Sequence, residues 1–494
     1  MTLTTKAQTA LGALRDYCAT DLDALLSEHA RTAPDEHVLS FFRGVARDVP
    51  AYRRFLAARG VDPSGVRSLA DFAGVPPTTK AEYHREYPLR ELCRHGVLEA
   101  CDFVAVSSGS TGEPAVWPRF VSDEIGSTLR FEQVLRDAFD AHETPTLAVV
   151  CFALGSWVGG MYTTFACRHL AAKGYPITVV TPGSNRAEIL RVVRALGPLF
   201  QQVVLLGYPP FLKDVIDAGR ADGLDWAPFR LRFMTAGEVF SEDWRALVCE
   251  RAGVADPPRA TASLYGTADG GVLANETPLS VAIRRHLSER PAAARELFGE
   301  SRLPTLCQYD PFHRFFESND GDLLFSGDGG APLVRYRILD RGGLVPHAQM
   351  LRFLADHGFE PPPHARALPF VYVFGRSTFA LSFYGANVYP ENVSVGLEQA
   401  DVAPFVTGKF VMEITHDADQ NAELRVTVEL APMVEPREGL EATVAAQVRA
   451  HVERFNSEFA NYVPAERRTP KIRLLPQGHP EYFPAGVKHR YSRS

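Results

Sequence analysis

The chain has 494 residues, 46% of them hydrophobic and 22% charged, and 52 basic against 59 acidic residues leave a net charge of −7. An acidic balance gives no ground for nucleic-acid binding, and apolar runs that break within about a dozen residues are too short to span a bilayer. The length calls for two or more domains.

The N-terminus, MTLTTKAQTALGALRDYCATDL, has neither the basic start nor the continuous apolar core of a secretory leader. Seven scattered cysteines show no metal-ligand spacing, so the expectation is buried free thiols in a reducing cytoplasm. The first hundred residues read as mostly helical, with capping and charge patterns in SLADFAGVPPTTKAEYHREYP. From there the pattern changes. TLAVVCFA (146–153), PITVVTPG (176–183), QVVLLGY (202–208) and LRFMTAGE (231–238) read as strands, with helical stretches such as RAEILRVVRAL (186–196) between them. That alternation predicts an α/β architecture around a largely parallel sheet.

A second unit follows VYVFGRS (371–377), with the boundary near Phe374. In KFVMEITHD, Phe410, Met412 and Ile414 alternate with polar neighbours, and Leu424, Val426, Val428 and Leu430 do so in ELRVTVEL. Over 436–460, Leu440, Val444, Val448, Val452, Phe455 and Phe459 fall on one helical stripe. Two half-buried strands and an amphipathic helix make a small α+β domain.

SSGSTGEP (107–114) crowds two glycines, three serines and a threonine behind the apolar stretch 103–106. Such a loop either turns the chain or wraps an anion in N–H groups and hydroxyls. Glu113 stands where a Walker A loop needs lysine, and there is no nucleophile elbow. Four further stretches accompany it: LYGTADGG (264–271), GDLLFSGDGGAPLVRYRILD (321–340), FGRSTFALSFYGANVYPENV (374–393) and HPEYFPAGVKHRY (479–491). Taken singly, Arg335 and Arg337 could be surface charges, Asp340 a turn acid, Tyr265 a core aromatic and the basic end a solvated tail.

Together, in this order, these motifs resemble one family, the adenylate-forming enzymes of the acyl-CoA synthetase superfamily, closest to the phenylacetate–coenzyme A ligase branch. The likeness begins with VPAYRRFLAARGVDPSGVRSLADFAGVPPTTKAEYHREYP (49–88) and runs to the last lysine. It implies a large N-terminal domain over 1–374 with mixed and parallel sheets, which binds ATP and the acid. It also implies a small mobile α+β domain over 375–494 that carries the catalytic lysine. In the implied reaction a carboxylate attacks the α-phosphate of ATP, and an acyl-adenylate and pyrophosphate result.

By that resemblance Ser107, Ser108, Ser110 and Thr111, with the backbone of Gly109 and Gly112, hold the β- and γ-phosphates. Gly237 and Glu238 match the strand end beside the adenine, Tyr265 and Gly266 the adenine-stacking segment, and Thr267 a catalytic contact to the α-phosphate. Asp269 stands where the family has a magnesium-binding glutamate. Asp340 matches the acid on the ribose hydroxyls and Arg376 the junction arginine on ribose or phosphate. Lys488 matches the lysine that bridges carboxylate and α-phosphate, with Lys471 its rival. Phe152, Trp157, Tyr162 and Tyr208 are candidates for an aromatic acid pocket, with Gly155, Gly159 and Gly160 leaving room for a flat ring; as core residues they read equally well. Gly385 belongs to the loop brought against coenzyme A.

Three departures stand out. Glu113 replaces a loop lysine, Thr378 and Phe379 replace the acidic hinge pair, and Val487 separates Gly486 from Lys488. The implied cofactors are ATP, magnesium and coenzyme A, and the expected partner is a small-molecule acid, with no nucleic acid and no membrane. A homodimer is a further expectation. The hinge change keeps a second chemistry open: transfer to a carrier thiol or an amine, or an ATP-dependent diazotase activating nitrite for an aromatic amine. A non-catalytic nucleotide-binding scaffold is the third reading, and retention of Asp340, Arg376 and Lys488 speaks against it.

Overall fold

Apolar runs of four to six residues separated by helix-length stretches can bury both faces only in a parallel sheet covered by helices. The computed structural model, which describes residues 3–99, 101–107, 115–155, 158–300, 303–363, 365–376, 381–431, 434–483 and 491–493, contains that sheet. The chain divides into two compact units. One gathers Met1–Ser107, Ala115–Gly207 and Val215–Gly375; the other gathers Tyr208–Asp214 and Arg376–Ser494.

In the first unit β1 (Phe103–Ser107) and β2 (Ala115–Arg119) form a separate antiparallel pair, with Ser107 opposite Ala115. Next come β3 (Thr146–Val150), β4 (Ile177–Val180), β5 (Gln202–Gly207), β6 (Leu231–Ala236) and β7 (Thr261–Thr267). Helices at Val158–Lys173, Arg186–Leu196, Pro209–Ala221 and Glu242–Arg251 connect them in turn. These strands lie parallel in the order β4–β3–β5–β6–β7. The order reverses at β3, and in open α/β sheets ligands collect at the carboxyl ends of strands beside such a reversal.

Beyond β7 the sheet turns antiparallel. β8 (Gly271–Asn275) folds back on β7, and β9 (Thr305–Gln308), β10 (Phe315–Asn319), β11 (Asp322–Gly327), β12 (Leu333–Val345) and β13 (Phe370–Arg376) complete an 11-stranded mixed sheet. The fold class is α/β with a mixed sheet, more antiparallel than the apolar runs alone implied. No helix among the described residues is long and apolar enough to cross a membrane. Of the cysteines, Cys93, Cys151, Cys167, Cys249 and Cys307 are buried free thiols, while Cys18 is exposed.

The N-terminal helices pack Phe42, Tyr52, Phe55, Phe72 and Tyr83 into one cluster with Val334 of β12. Ser68 and Asp71 form a reciprocal capping box, as the SLAD pattern predicts. Thr78 then runs alongside β12, donating its N–H to Arg335 O at 3.1 Å and accepting from Arg337 N at 2.9 Å. Arg335 is a buried clamp, not a surface charge. Its guanidinium donates to Glu317 at 3.0 Å and to the carbonyl of Val75.

The second unit holds a hairpin of β14 (Leu381–Phe383) and β15 (Ala386–Val388) and a sheet of β16 (Val406–His416), β17 (Ala422–Leu430), β18 (Lys471–Leu475) and β19 (Ser492–Arg493). That sheet runs β18–β17–β16–β19. The stripe expected over 436–460 is corrected in one respect. The helix Leu440–Phe455 stops at Asn456 (φ −125°, ψ 96°), which caps a new helix at Ser457–Tyr462 by accepting from Phe459 N. The break rotates the face, so Phe459 is buried while Phe455 is 47% exposed.

One buried ion cluster fixes the strand pair on which the candidate site sits. Glu276, directly after β8, is 0% exposed and accepts from Arg245 at 2.7 Å, Arg284 at 3.1 Å and Ser263 N of β7 at 2.8 Å. Removing one partner of a buried pair leaves charge uncompensated, typically at about 3–5 kcal/mol. Glu276→Ala is therefore expected to lower Tm by several degrees or abolish folding. A melting curve superimposed on the parent's would refute this role for the cluster.

Candidate functional site

The β7–β8 connection is the tightest piece of chemistry at the carboxyl end of the sheet. A bulge at Tyr265/Gly266 lets the strand turn, and a Cβ at Gly266 would lie 2.8 Å from Gly271 O, so only glycine fits. The Thr267 hydroxyl oxygen accepts from Gly270 N at 3.0 Å and closes the turn. The three carbonyls of that turn are all bound from behind. Arg119 donates to Ala268 O at 2.5 Å and Asp269 O at 2.9 Å, and Arg314 donates to Gly270 O at 2.8 Å. Both arginines are buried.

The Asp269 side chain has partners on both oxygens. Lys80 Nζ lies 3.1 Å from Oδ1, and the Tyr336 phenol donates to Oδ2 at 2.5 Å. Lys80 reaches it from a π-turn, Lys80–His84, whose first turn is capped by Thr79 accepting from Glu82 N. Its ammonium sits 5.7 Å from the centre of the Trp117 ring, and His84 packs on the same ring at 3.8 Å. Burial brings the His84 pKa down to about 4, so the ring is neutral at physiological pH and its Nε2–H donates to Val116 O at 3.0 Å.

Asp269 was expected to offer a hard oxygen to magnesium; the structure gives it an ammonium and a phenol. Among the described residues no group of three or more His, Cys, Asp or Glu is placed to hold a metal ion. One carboxylate with both oxygens engaged does not fit a resident metal built from protein ligands.

In the cluster that also holds Trp117 and Tyr336, Tyr265 donates its phenolic proton to Asp340 Oδ2 at 2.7 Å, with both side chains buried. Asp340 lies on β12 after Leu339, whose φ of +69° is unusual for a residue with a Cβ. Gly237 (φ +89°) and Glu238 follow β6 at the same edge. The structure thus gathers Tyr265, Gly266, Thr267 and Asp269 at the end of β7, and Tyr265 reaches Asp340 of β12.

Other expected residues fall elsewhere. Phe152 and Tyr162 belong to the first unit and are 2% and 4% exposed. Tyr162 faces the turn's support, with the Arg119 guanidinium 5.8 Å above its ring. Tyr208 groups with the second unit, where it stacks on Tyr462 at 5.3 Å and faces Gly385. Gly385 (φ +82°) and Tyr384 (φ +52°) form the two-residue turn between β14 and β15. A Cβ on Gly385 would run into the Tyr208 ring. Gly160 does not make room for a ring either, because a Cβ there would collide with Ala153 O. Ser107 ends β1 and Arg376 ends β13, with their side chains outside the description. Ser108, Gly109, Ser110, Thr111, Gly112, Trp157, Thr378, Phe379 and Lys488 lie outside the described residues.

Residue reading missed Lys80, Trp117, Arg119, Arg314 and Tyr336. The one available signal was that Lys80 is one of few lysines and sits in a capping motif. Behind the turn, Asp123 accepts from Phe120 N at 3.0 Å and Gly330 N at 2.7 Å, and Glu124 lies 3.9 Å from His169. Burial pushes the Glu124 carboxyl up to about 7 and that of Asp123 to about 6. A carboxyl whose folded pKa exceeds its unfolded value gives stability that is full below the unfolded pKa and lost as pH rises through the folded one. For Glu124 that window runs from 4.5 to about 7. Glu124→Gln is therefore expected to melt higher than the parent at pH 8 and alike at pH 4.5, by calorimetry. Equal differences at both pH values would show that this carboxyl is not the titrating group.

No family model matches the chain. Its sequence is similar to the phenylacetate-coenzyme A ligase of Thermus thermophilus, 27% identical over 418 residues that cover 83% of each chain. It is also similar to the phenylacetate-coenzyme A ligase of Aromatoleum evansii, 22% identical over 408 residues and 79% of each. In fold it matches a 2-hydroxyisobutyryl-CoA ligase solved with 2-HIB-AMP and CoA, at TM-score 0.65 and 15% identity, over 93% of this chain and 88% of that one. The resemblance to the adenylate-forming, phenylacetate–coenzyme A ligase-like enzymes thus holds in sequence and in fold.

Proposed function

We propose that the chain is an AMP-forming ligase that uses ATP to adenylate a carboxylic acid, an aromatic one foremost, and passes the acyl group to coenzyme A. The observation that carries this reading is the Tyr265–Asp340 hydrogen bond, made across 75 residues at the carboxyl edge of the sheet. A flat aromatic face beside a buried carboxylate suits an adenine and its ribose: the ring stacks, and the acid accepts from hydroxyls. The likeness to coenzyme A ligases supports the acceptor, and the phenylacetate named for those relatives supports the aromatic acid.

The chemistry follows from charge. A carboxylate oxygen bonds to the α-phosphorus while the bond to pyrophosphate breaks, so two anions meet and charge builds on the leaving group. The loop 107–112 offers hydroxyls and N–H groups to the β- and γ-phosphates. Thr267 contacts the α-phosphate, Lys80 holds an ammonium beside the same turn, and Arg376 meets ribose or phosphate. Lys488, on the 375–494 domain, bridges the two reacting groups. In the second half-reaction the thiolate of coenzyme A bonds to the acyl carbon and AMP leaves, with Gly385 on the loop that meets the thiol's arm. A magnesium ion bound to the triphosphate would offset its charge there, with Asp269 the nearby carboxylate.

The test is acid-dependent exchange of pyrophosphate into ATP, followed by AMP release with and without coenzyme A over aromatic and aliphatic acids. AMP release that coenzyme A never raises would move the acceptor to a carrier thiol or an amine, and release driven by nitrite would mark a diazotase. Lys488→Ala is expected to slow exchange by about 10²-fold or more while leaving the ATP Kd within several-fold, since the charge acts in the transition state. Exchange at the parental rate would transfer the role to Lys471, which opens β18 and pairs with Glu423 at 3.7 Å.

A further inference from the structure

Stacking on adenine accounts for the ring of Tyr265 but not for its hydroxyl. A phenylalanine would stack as well, and a buried phenol must find an acceptor. Here the acceptor is Asp340 Oδ2, at 2.7 Å. The ring has little freedom to leave, because it lies over Phe316 at 6.3 Å and 22°, and Phe316 is itself wedged edge-on by Tyr309 at 5.0 Å. The acid is constrained from its own side too. Leu339 holds a left-handed backbone just before it, a conformation that costs about 1–3 kcal/mol in a residue with a side chain and persists where the surroundings enforce it.

We infer that the Tyr265 hydroxyl is a positioning residue that sets the preference for a nucleotide with ribose hydroxyls over a 2′,3′-dideoxynucleotide, by locking the Asp340 carboxylate in the orientation that accepts from the ribose. The inference rests on the reading of Asp340 as the ribose acceptor. A carboxylate that can spin about its last bond must be ordered when the sugar arrives, and that cost falls on the ribose hydroxyls alone. A carboxylate already held by a phenol has met it during folding. The hydroxyl therefore bears on the difference between the two sugars, whereas the ring bears on both equally.

Affinities of the full chain for ATP and for 2′,3′-dideoxy-ATP, measured by calorimetry on one preparation, test this without knowledge of the acid. Their ratio is insensitive to any unfolded fraction. The parent is expected to favour ATP by about tenfold or more, the scale of a hydrogen bond to a charged group. Tyr265→Phe should weaken ATP binding by about tenfold and leave 2′,3′-dideoxy-ATP within about twofold, and Asp340→Asn should collapse the ratio. Adding Tyr265→Phe to Asp340→Asn should change the ratio no further. Equal losses for both nucleotides in Tyr265→Phe, or no loss, would overturn the inference while a collapsed ratio in Asp340→Asn kept the ribose reading intact. A parental ratio in Asp340→Asn would overturn both.

Discussion

Three carbonyl oxygens in a row, on Ala268, Asp269 and Gly270, point into the protein and are met there by two buried guanidinium groups. This arrangement is the constraint on which the rest of the site depends. A tight turn between antiparallel strands would ordinarily show its carbonyls to water. Here Arg119 and Arg314 replace the water, and hydrogen bonds to charged groups contribute about 1.5–3 kcal/mol each. The arginines in turn lose hydration, enough to bring the Arg314 pKa down to about 10. With the carbonyls taken from behind, the side chains of Thr267 and Asp269 are presented at the strand end.

The N-terminal helical region has a part in that presentation. Its aromatic cluster rests on Val334, its chain runs beside β12 through Thr78, and two residues later Lys80 reaches Asp269. An ammonium paired at 3.1 Å in a half-buried place needs an aromatic or anionic neighbour to offset lost water; Trp117 and Asp269 are both there. A segment that looks like packing around the large sheet thus delivers a charge to its carboxyl edge.

What the sequence disclosed follows its periodicity. The strands β3, β5 and β6 and the helix Arg186–Leu196 were legible because each is a local pattern bounded by turn residues. Tyr265, Thr267 and Asp340 were legible as motif positions, though their mutual geometry was not. Lys80 was missed as a site residue because its anionic partner Asp269 is remote in sequence and no local pattern couples the two. Phe455 was misplaced because an asparagine that reads as one more helical residue caps the next helix and turns the face. A glycine near a strand end does not say whether it makes space or fills it, and for Gly160 only the close approach of Ala153 O decides.

Residues 491–493 belong to the small sheet. Ser492 and Arg493 pair with Met412 and Glu413 of β16, Tyr491 O accepts from Met412 N at 2.8 Å, and the Tyr491 ring packs on Phe410 at 5.1 Å. On the near side Phe483 is buried against Val411 and Leu475. Ser492 and Arg493 lie at the edge of the small sheet, next to β16. An edge strand this short, carrying the charge of Arg493, offers little template for pairing with another chain.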